Sequence, residues 1–141
     1  MNAEQMWQAY GQNGEYEAWC FGDDADTLAQ LVLNGIKTAT ASAYAIYEKE
    51  NEEIPRAGQY SVILDSRENA VCIIRTDSVE IRPFSQIDEA FAFQEGEGDR
   101  TLAYWRHVHK TFFTGEMEAA GLSFSEDMLV VMERFTRVYP V

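Results

Sequence analysis

The sequence predicts an α+β fold built on an antiparallel sheet or a small barrel. Three observations predict it. Residues 60–65 (YSVILD) and 70–81 (AVCIIRTDSVEI) are apolar runs separated by a polar turn from Ser66 to Asn69, and together they read as a hairpin. The last run, 127–141, sets apolar against charged partners at Val131, Glu133, Phe135 and Arg137, the period of two that marks a strand. Helical stretches fall between these strands without βαβ regularity, which argues against a parallel doubly wound sheet.

The elements follow in order. Residues 3–10 (AEQMWQAY) read as a short helix. Residues 15–21 (EYEAWCF) are open between strand and loop. Residues 25–34 read as an amphipathic helix, with Leu28, Leu31 and Val32 at helical spacing. Asp23, Asp24 and Asp26 suit its N-terminus and Gly35 suits its C-cap. The stretch from Lys37 begins with small and β-branched residues and becomes helix-like from about residue 43. Pro55 and Gly58 mark a loop. Residues 84–93 are a short helical region, and 94–99 (QEGEGD) an acidic loop. Residues 101–118 carry the strongest helix signal, with Leu102, Trp105, His109, Phe112 and Phe113 on one stripe and Arg106 and Lys110 off it. No linker or repeat interrupts residues 1–141, so one domain is expected.

Charge limits the function. Lys and Arg total 11 against 24 Asp and Glu, a net charge of −13. Phosphate backbones and anionic membranes are repelled at long range. Neither an extended duplex nor a membrane is an expected partner, whereas a nucleoside or a short single strand suits a locally neutral pocket. The N-terminus has neither the basic start nor the apolar core of a secretory signal, and no run reaches the ~20 apolar residues of a span. Two cysteines, Cys20 and Cys72, exclude a disulfide scaffold and a four-cysteine zinc site. A cytoplasmic protein with free thiols is expected.

No phosphate-cradling glycine loop or paired-histidine metal motif is present. His107 and His109 stand two apart, on different sides of their helix. Glu95, Glu97 and Asp99 alternate with glycines, either as a hard-oxygen cation site or as a solvated acidic loop. Lys37 and Thr40, in GIKTATAS, are neighbours on a turn or a single helical winding. Small residues, including Thr38 and Ser42, leave room beside the lysine. Desolvation there would lower the lysine pKa, and the neutral amine could take the Thr40 proton. The plainer reading is a surface lysine complementing a helix C-terminus. Trp7, Trp19, Tyr44 and Tyr47 are less patterned than the core stripe, and some can line a pocket as stacking rings.

GIKTATAS at 35–42, the hairpin at 55–81 and FQEGEGDRTLAYWRHVHKTFF at 93–113 together resemble the ASCH domain family, over roughly 15–138. The resemblance implies a PUA-like fold, a small antiparallel β-barrel with flanking helices, in a superfamily associated with RNA. One branch of the family hydrolyses acetylcytidine to cytidine and acetate, and another member is a ribonuclease. The amidohydrolase branch uses a lysine, a threonine three positions on, and a glutamate in an Ala-x-Gln-Glu context. Lys37, Thr40 and Glu95 match these by residue type and context. The resemblance implies that Lys37 deprotonates Thr40, Thr40 attacks the acetyl carbonyl, and Glu95 protonates the departing amine. Thr38, Ser42, Arg100 and Arg106 are candidate substrate contacts, with no metal or cofactor expected. That branch is shorter; the first 20 residues and the helix through Trp105 belong to a longer ASCH type. The alternatives are a non-catalytic RNA-binding module, using Arg100, Arg106, His107 and Lys110 on phosphates, and a ribonuclease.

Overall fold

The computed structural model describes residues 1–141. Helix α1 (Ala3–Tyr10) opens on a reciprocal cap between Asn2 and Gln5. Strand β1 (Glu17–Trp19) settles the ambiguous stretch as a strand. Helix α2 (Ala25–Leu33), strand β2 (Ala39–Ala43) and helix α3 (Tyr44–Glu50) follow, with the strand-to-helix change at the expected place. The hairpin is β3 (Tyr60–Leu64) and β4 (Ala70–Pro83). A single 3-10 turn at Phe84–Gln86 precedes helix α4 (Glu89–Glu95), which runs two residues further than the apolar pattern. Helix α5 (Leu102–Ala119) is capped by Thr101, and β5 (Leu129–Tyr139) closes the chain.

The strands form one sheet in the order β1-β3-β4-β5-β2. It curls as a half-barrel, with β1 and β2 as its edges. All pairs are antiparallel except β1 with β3, which run parallel. A parallel pair needs a long crossover, and the chain from Trp19 to Tyr60 supplies it through α2, β2 and α3. Register shifts in β4 near Ile73 and Thr76 bend that strand. It can therefore pair with β3 and with the whole length of β5.

Alternation divides the core. Val62 and Ile73 pack beneath Met6 and Trp7 of α1. Their neighbours Ile63, Cys72 and Ile74 face the other way, against Ala29 and Val32 of α2. The largest cluster joins Ala39 and Ala43 of β2, Val130 and Met132 of β5, and Trp105, Phe113 and Met117 of α5. The α5 stripe therefore packs as its spacing predicts. Cys72 is fully buried, which pushes its thiol pKa up to about 12, while Cys20 is exposed, and both are free. Arg75, in mid-strand, faces solvent beside Asp77. No helix is long and apolar enough to cross a membrane.

One close approach brings the site together. Gly96 ends α4 at φ 72°, and a β-carbon there would lie 2.5 Å from the Ile36 carbonyl oxygen. The bare backbone lets the α4 end dock on the chain leaving α2, where the Thr38 amide donates to the Gln94 carbonyl at 2.7 Å. Gly11 has a similar φ of 80° but open space around it. Gly96→Ala is expected to lower stability by at least ~1 kcal/mol more than Gly11→Ala, because it adds a clash to the same strain. Urea unfolding of the two variants measures the difference; equal losses would mean the docking is loose.

Candidate functional site

Lys37 leaves the end of α2 in a tight turn, with the Ile36 and Lys37 amides both donating to the Leu31 carbonyl. The turn aims the side chain inward, and only 1% of Lys37 is exposed. Its ammonium donates to Glu95 Oε1 at 3.0 Å, to Glu97 Oε2 at 3.0 Å and to the Glu95 carbonyl at 3.4 Å. All three ammonium hydrogens are thereby engaged. The Phe21 ring lies 5.2 Å from the nitrogen.

Glu95 is equally buried. Its Oε2 accepts from the Trp105 indole and lies 3.3 Å from His109 Nε2. The His109 ring stacks on Trp105 at 4.2 Å, and its Nδ1 is 2.9 Å from the Trp105 carbonyl. A carbonyl only accepts, so Nδ1 carries a hydrogen. Nε2 lies in ion-pair range of the Glu95 carboxylate, which favours a second hydrogen there. Lys37 and His109 thus face Glu95 and Glu97 as two basic groups against two acids.

The pKa directions set these groups apart. Burial works against the Lys37 charge, but Glu95 and Glu97 outweigh it and hold its pKa above the ordinary lysine value. Burial also opposes the Glu95 charge, yet Lys37, His109 and the Trp105 hydrogen bond hold that carboxyl well below the usual range. Burial opposes charge on His109, and Glu95 reverses it, leaving the imidazole pKa raised. Glu97 is raised: burial and the Glu95 charge together exceed the pull of Lys37.

These groups lie at one side of a cleft of about 770 Å³. Thr40 and Ser42 of β2, Tyr47 of α3, Glu133 of β5 and Phe112 of α5 line it with Glu95, Glu97 and His109. Trp19 and Phe21 add apolar walls. Eight lining residues are Asp or Glu and none is Lys or Arg. Lys37 sits behind its carboxylates rather than in the lining. Ser42 Oγ shares a 2.9 Å hydrogen bond with the Tyr47 hydroxyl. Thr40 Oγ1 has no protein partner.

Several expectations are corrected here. Lys37 is neither a surface lysine nor a neutral amine: two carboxylates keep it charged, so it holds no lone pair for the Thr40 proton. Glu95 holds no proton for a leaving amine, because three donors surround its carboxylate. The acidic loop divides: Glu95 and Glu97 turn inward, while Asp99 stays outside and accepts from Thr101. Thr38 is exposed, with its hydroxyl on the Gln94 carbonyl. Arg100 lies over the Phe93 ring at 3.6 Å and donates to the Phe93 and Ile36 carbonyls. Arg106 is exposed against the Ser85 carbonyl. Thr38, Arg100 and Arg106 thus stand outside the cleft, each held by backbone carbonyls. Lys110, at the surface, lies 3.9 Å from Glu126. Of the unpatterned rings, Trp19 and Tyr47 line the cleft, whereas Trp7 is core.

Glu95, Glu97 and His109 offer ligand atoms within 4.8 Å of one another, a spacing that would suit a divalent cation. The Lys37 ammonium already takes the place of such an ion, 3.0 Å from an oxygen of each carboxylate.

The geometry around GIKTATAS and QEGEGD, which form the two halves of one charged cluster, points to a known family. The ASCH domain model matches residues 17–139. The chain belongs to the ASCH domain family. ASCH domains are associated with RNA binding. An ASCH domain from Lactobacillus crispatus JV V101 is 33% identical, with a TM-score of 0.88 over 96% of this chain and 93% of that one. A protein from Enterococcus faecalis V583 is 40% identical, with a TM-score of 0.89 over 97% and 88%. A hypothetical protein at 12% identity and a TM-score of 0.60, covering 88% of this chain and 100% of that one, shares the fold. No curated protein matches the sequence. The PUA-like architecture implied by the motifs is therefore the one observed.

Lys37→Met is expected to lower stability by ~3–5 kcal/mol, since it strands two carboxylates in the interior. Lys37→Met with Glu95→Gln should recover part of that loss. Urea unfolding of both variants measures it, and a loss below about 1 kcal/mol for the single change would show the pair to be hydrated rather than buried.

Proposed function

We propose that the cleft binds a nucleoside and hydrolyses an acyl amide on its exocyclic amine, with acetylcytidine giving cytidine and acetate. The observation that carries this reading is the unpartnered Thr40 hydroxyl in a cleft that Glu95, Glu97 and His109 also line. A hydroxyl that makes no internal hydrogen bond is free to meet a carbonyl carbon. Acyl transfer to Thr40 divides amide hydrolysis into two easier steps.

The ionisable groups support a division of labour. Glu97 is 16% exposed at its side chain, lines the cleft and has a raised pKa, so it suits donation of a proton to the leaving amine. Lys37 and Glu95 serve by position: the ammonium fixes Glu97, and Glu95 fixes Lys37 and His109. Trp19, Phe21 and Phe112 offer rings and edges to the base.

Charge favours a nucleoside over an RNA chain. With eight acidic residues in the lining and no Lys or Arg, a phosphodiester would meet like charge on every side. Base amino groups and ribose hydroxyls, which donate hydrogen bonds, would find acceptors.

Acetate release from acetylcytidine tests the reading. Thr40→Ala should reduce kcat by roughly 100-fold or more, and Thr40→Ser should retain measurable turnover. Thr40 makes no side-chain hydrogen bond, so the fold should withstand both changes. Full turnover by Thr40→Ala would remove the nucleophile and this mechanism with it.

A further inference from the structure

We propose that Glu133 is the base that takes the Thr40 proton, an inference that rests on the amidohydrolase reading of the same cleft. With Lys37 charged and its three hydrogens engaged, Thr40 needs another proton acceptor, and the sheet register supplies one. Thr40 of β2 stands directly opposite Glu133 of β5. Directly opposed residues on antiparallel strands put their side chains on the same face, with β-carbons about 4.5–5.5 Å apart. Both residues line the cleft.

Glu133 is held ready at one oxygen only. Its Oε2 accepts from the Thr76 hydroxyl at 2.6 Å, in a side chain only 6% exposed. Its Oε1 has no protein partner, yet no buried side-chain oxygen in the protein lacks one. Oε1 is therefore open to solvent, and the cleft is the space that Glu133 lines. A buried carboxylate without a cation is costly, and groups perturbed in this way cluster at functional sites. Neither Lys nor Arg reaches this one. Burial, outweighing the Thr76 hydrogen bond, raises its pKa, and the Glu17 charge adds to the rise. A raised pKa makes the carboxylate a better proton acceptor near neutral pH. The titratable groups that share the cleft with it are Glu17 of β1, Cys20 and Asp23 in the chain after it, Tyr47 of α3, Glu52 and Glu53 beyond that helix, Glu95 and Glu97 at the α4 end, and His109 and Glu116 of α5.

The step balances as follows. The Thr40 Oγ1–H bond breaks and the proton passes to Glu133 Oε1. The Oγ1 electron pair bonds to the acetyl carbon. The carbon–nitrogen bond then breaks, and the amine takes the Glu97 proton. Water attacks the acetyl-threonine ester, giving its proton to the Glu97 carboxylate. Glu133 returns its proton to Thr40 Oγ1, and acetic acid leaves, giving its proton to solvent to become acetate.

The test is the pH profile of acetate release from acetylcytidine by the full chain carrying Glu133→Gln. Glutamine keeps an acceptor for Thr76 and loses the base. The expected result is a fall in kcat of roughly 100-fold or more, with KM within about threefold and the acid limb of kcat/KM abolished. Thr76→Val provides a second variant that retains the carboxylate. Losing that hydrogen bond raises the Glu133 pKa further, so the acid limb should move to higher pH. Glu133→Gln with wild-type kcat and an intact acid limb would overturn the role of Glu133 while leaving the amidohydrolase reading in place. A raised KM at unchanged kcat would make Glu133 a substrate contact and likewise overturn it. An acid limb unmoved in Thr76→Val would also overturn it, whether or not Glu133→Gln folds. Wild-type protein without turnover would overturn both readings.

Discussion

The buried ammonium of Lys37 fixes the geometry of everything around it. Three acceptors surround its nitrogen, two from Glu95 and one from Glu97. Glu95 in turn accepts from Trp105 and faces His109 on α5. One cation thus ties the end of α2, the end of α4 and the middle of α5 at a single point. A buried ion pair seldom adds net stability over a well-packed apolar equivalent, but removing one member is severe. Its worth here is definition: the partners have one arrangement that leaves no charge orphaned. Gly96 makes that arrangement possible, because any β-carbon would hold the α4 end away from Ile36.

The cluster sits beside a strongly acidic cleft. Within the cluster, Lys37 and His109 lie against Glu95 and Glu97. The remaining acidic residues, Glu17, Asp23, Glu52, Glu53, Glu116 and Glu133, then set its field. Such a field discourages phosphate and favours groups that donate hydrogen bonds. It also separates two kinds of carboxylate. Glu95 is held charged by its partners, whereas Glu97 and Glu133 have raised pKa values and lie where a ligand can reach them. Environments that push like groups apart in pKa are what acid–base chemistry near neutral pH requires.

Most of the fold was legible in the sequence because local patterns carry it. The hairpin, the α5 stripe and the change from strand to helix at Ala43 each follow from periodicity or punctuation. The parallel pairing of β1 was not, since three residues hold too little pattern and their partner lies beyond three intervening elements. In the site, the matched motif located Lys37, Thr40 and Glu95, but their electrostatics depend on neighbours distant in the chain. Lys37 looked like a candidate for a lowered pKa among small residues; the carboxylates that reverse this are 58 and 60 positions away. His109 read as core, and it is core as well as a neighbour of the Glu95 carboxylate. Glu133 carried a signal that went unused: it is the one acid in β5, on the same phase as Val131 and Phe135. Arg100 and Arg106 were grouped by charge, although Arg100 lies over Phe93 and Arg106 is directed to the Ser85 carbonyl.

The central claim is that Lys37 is a permanent cation and an anchor, not a base. The chain has just three lysines, Lys37, Lys49 and Lys110, so their side-chain nitrogen resonances are readily assigned. Nitrogen-15 NMR of the lysine side chains across a pH titration measures the claim directly. The Lys37 signal should keep its ammonium position from neutral pH up through the ordinary lysine range, since Glu95 and Glu97 hold its pKa above that range. A Lys37 signal that loses its proton near neutrality would contradict the account and restore the lysine as a base.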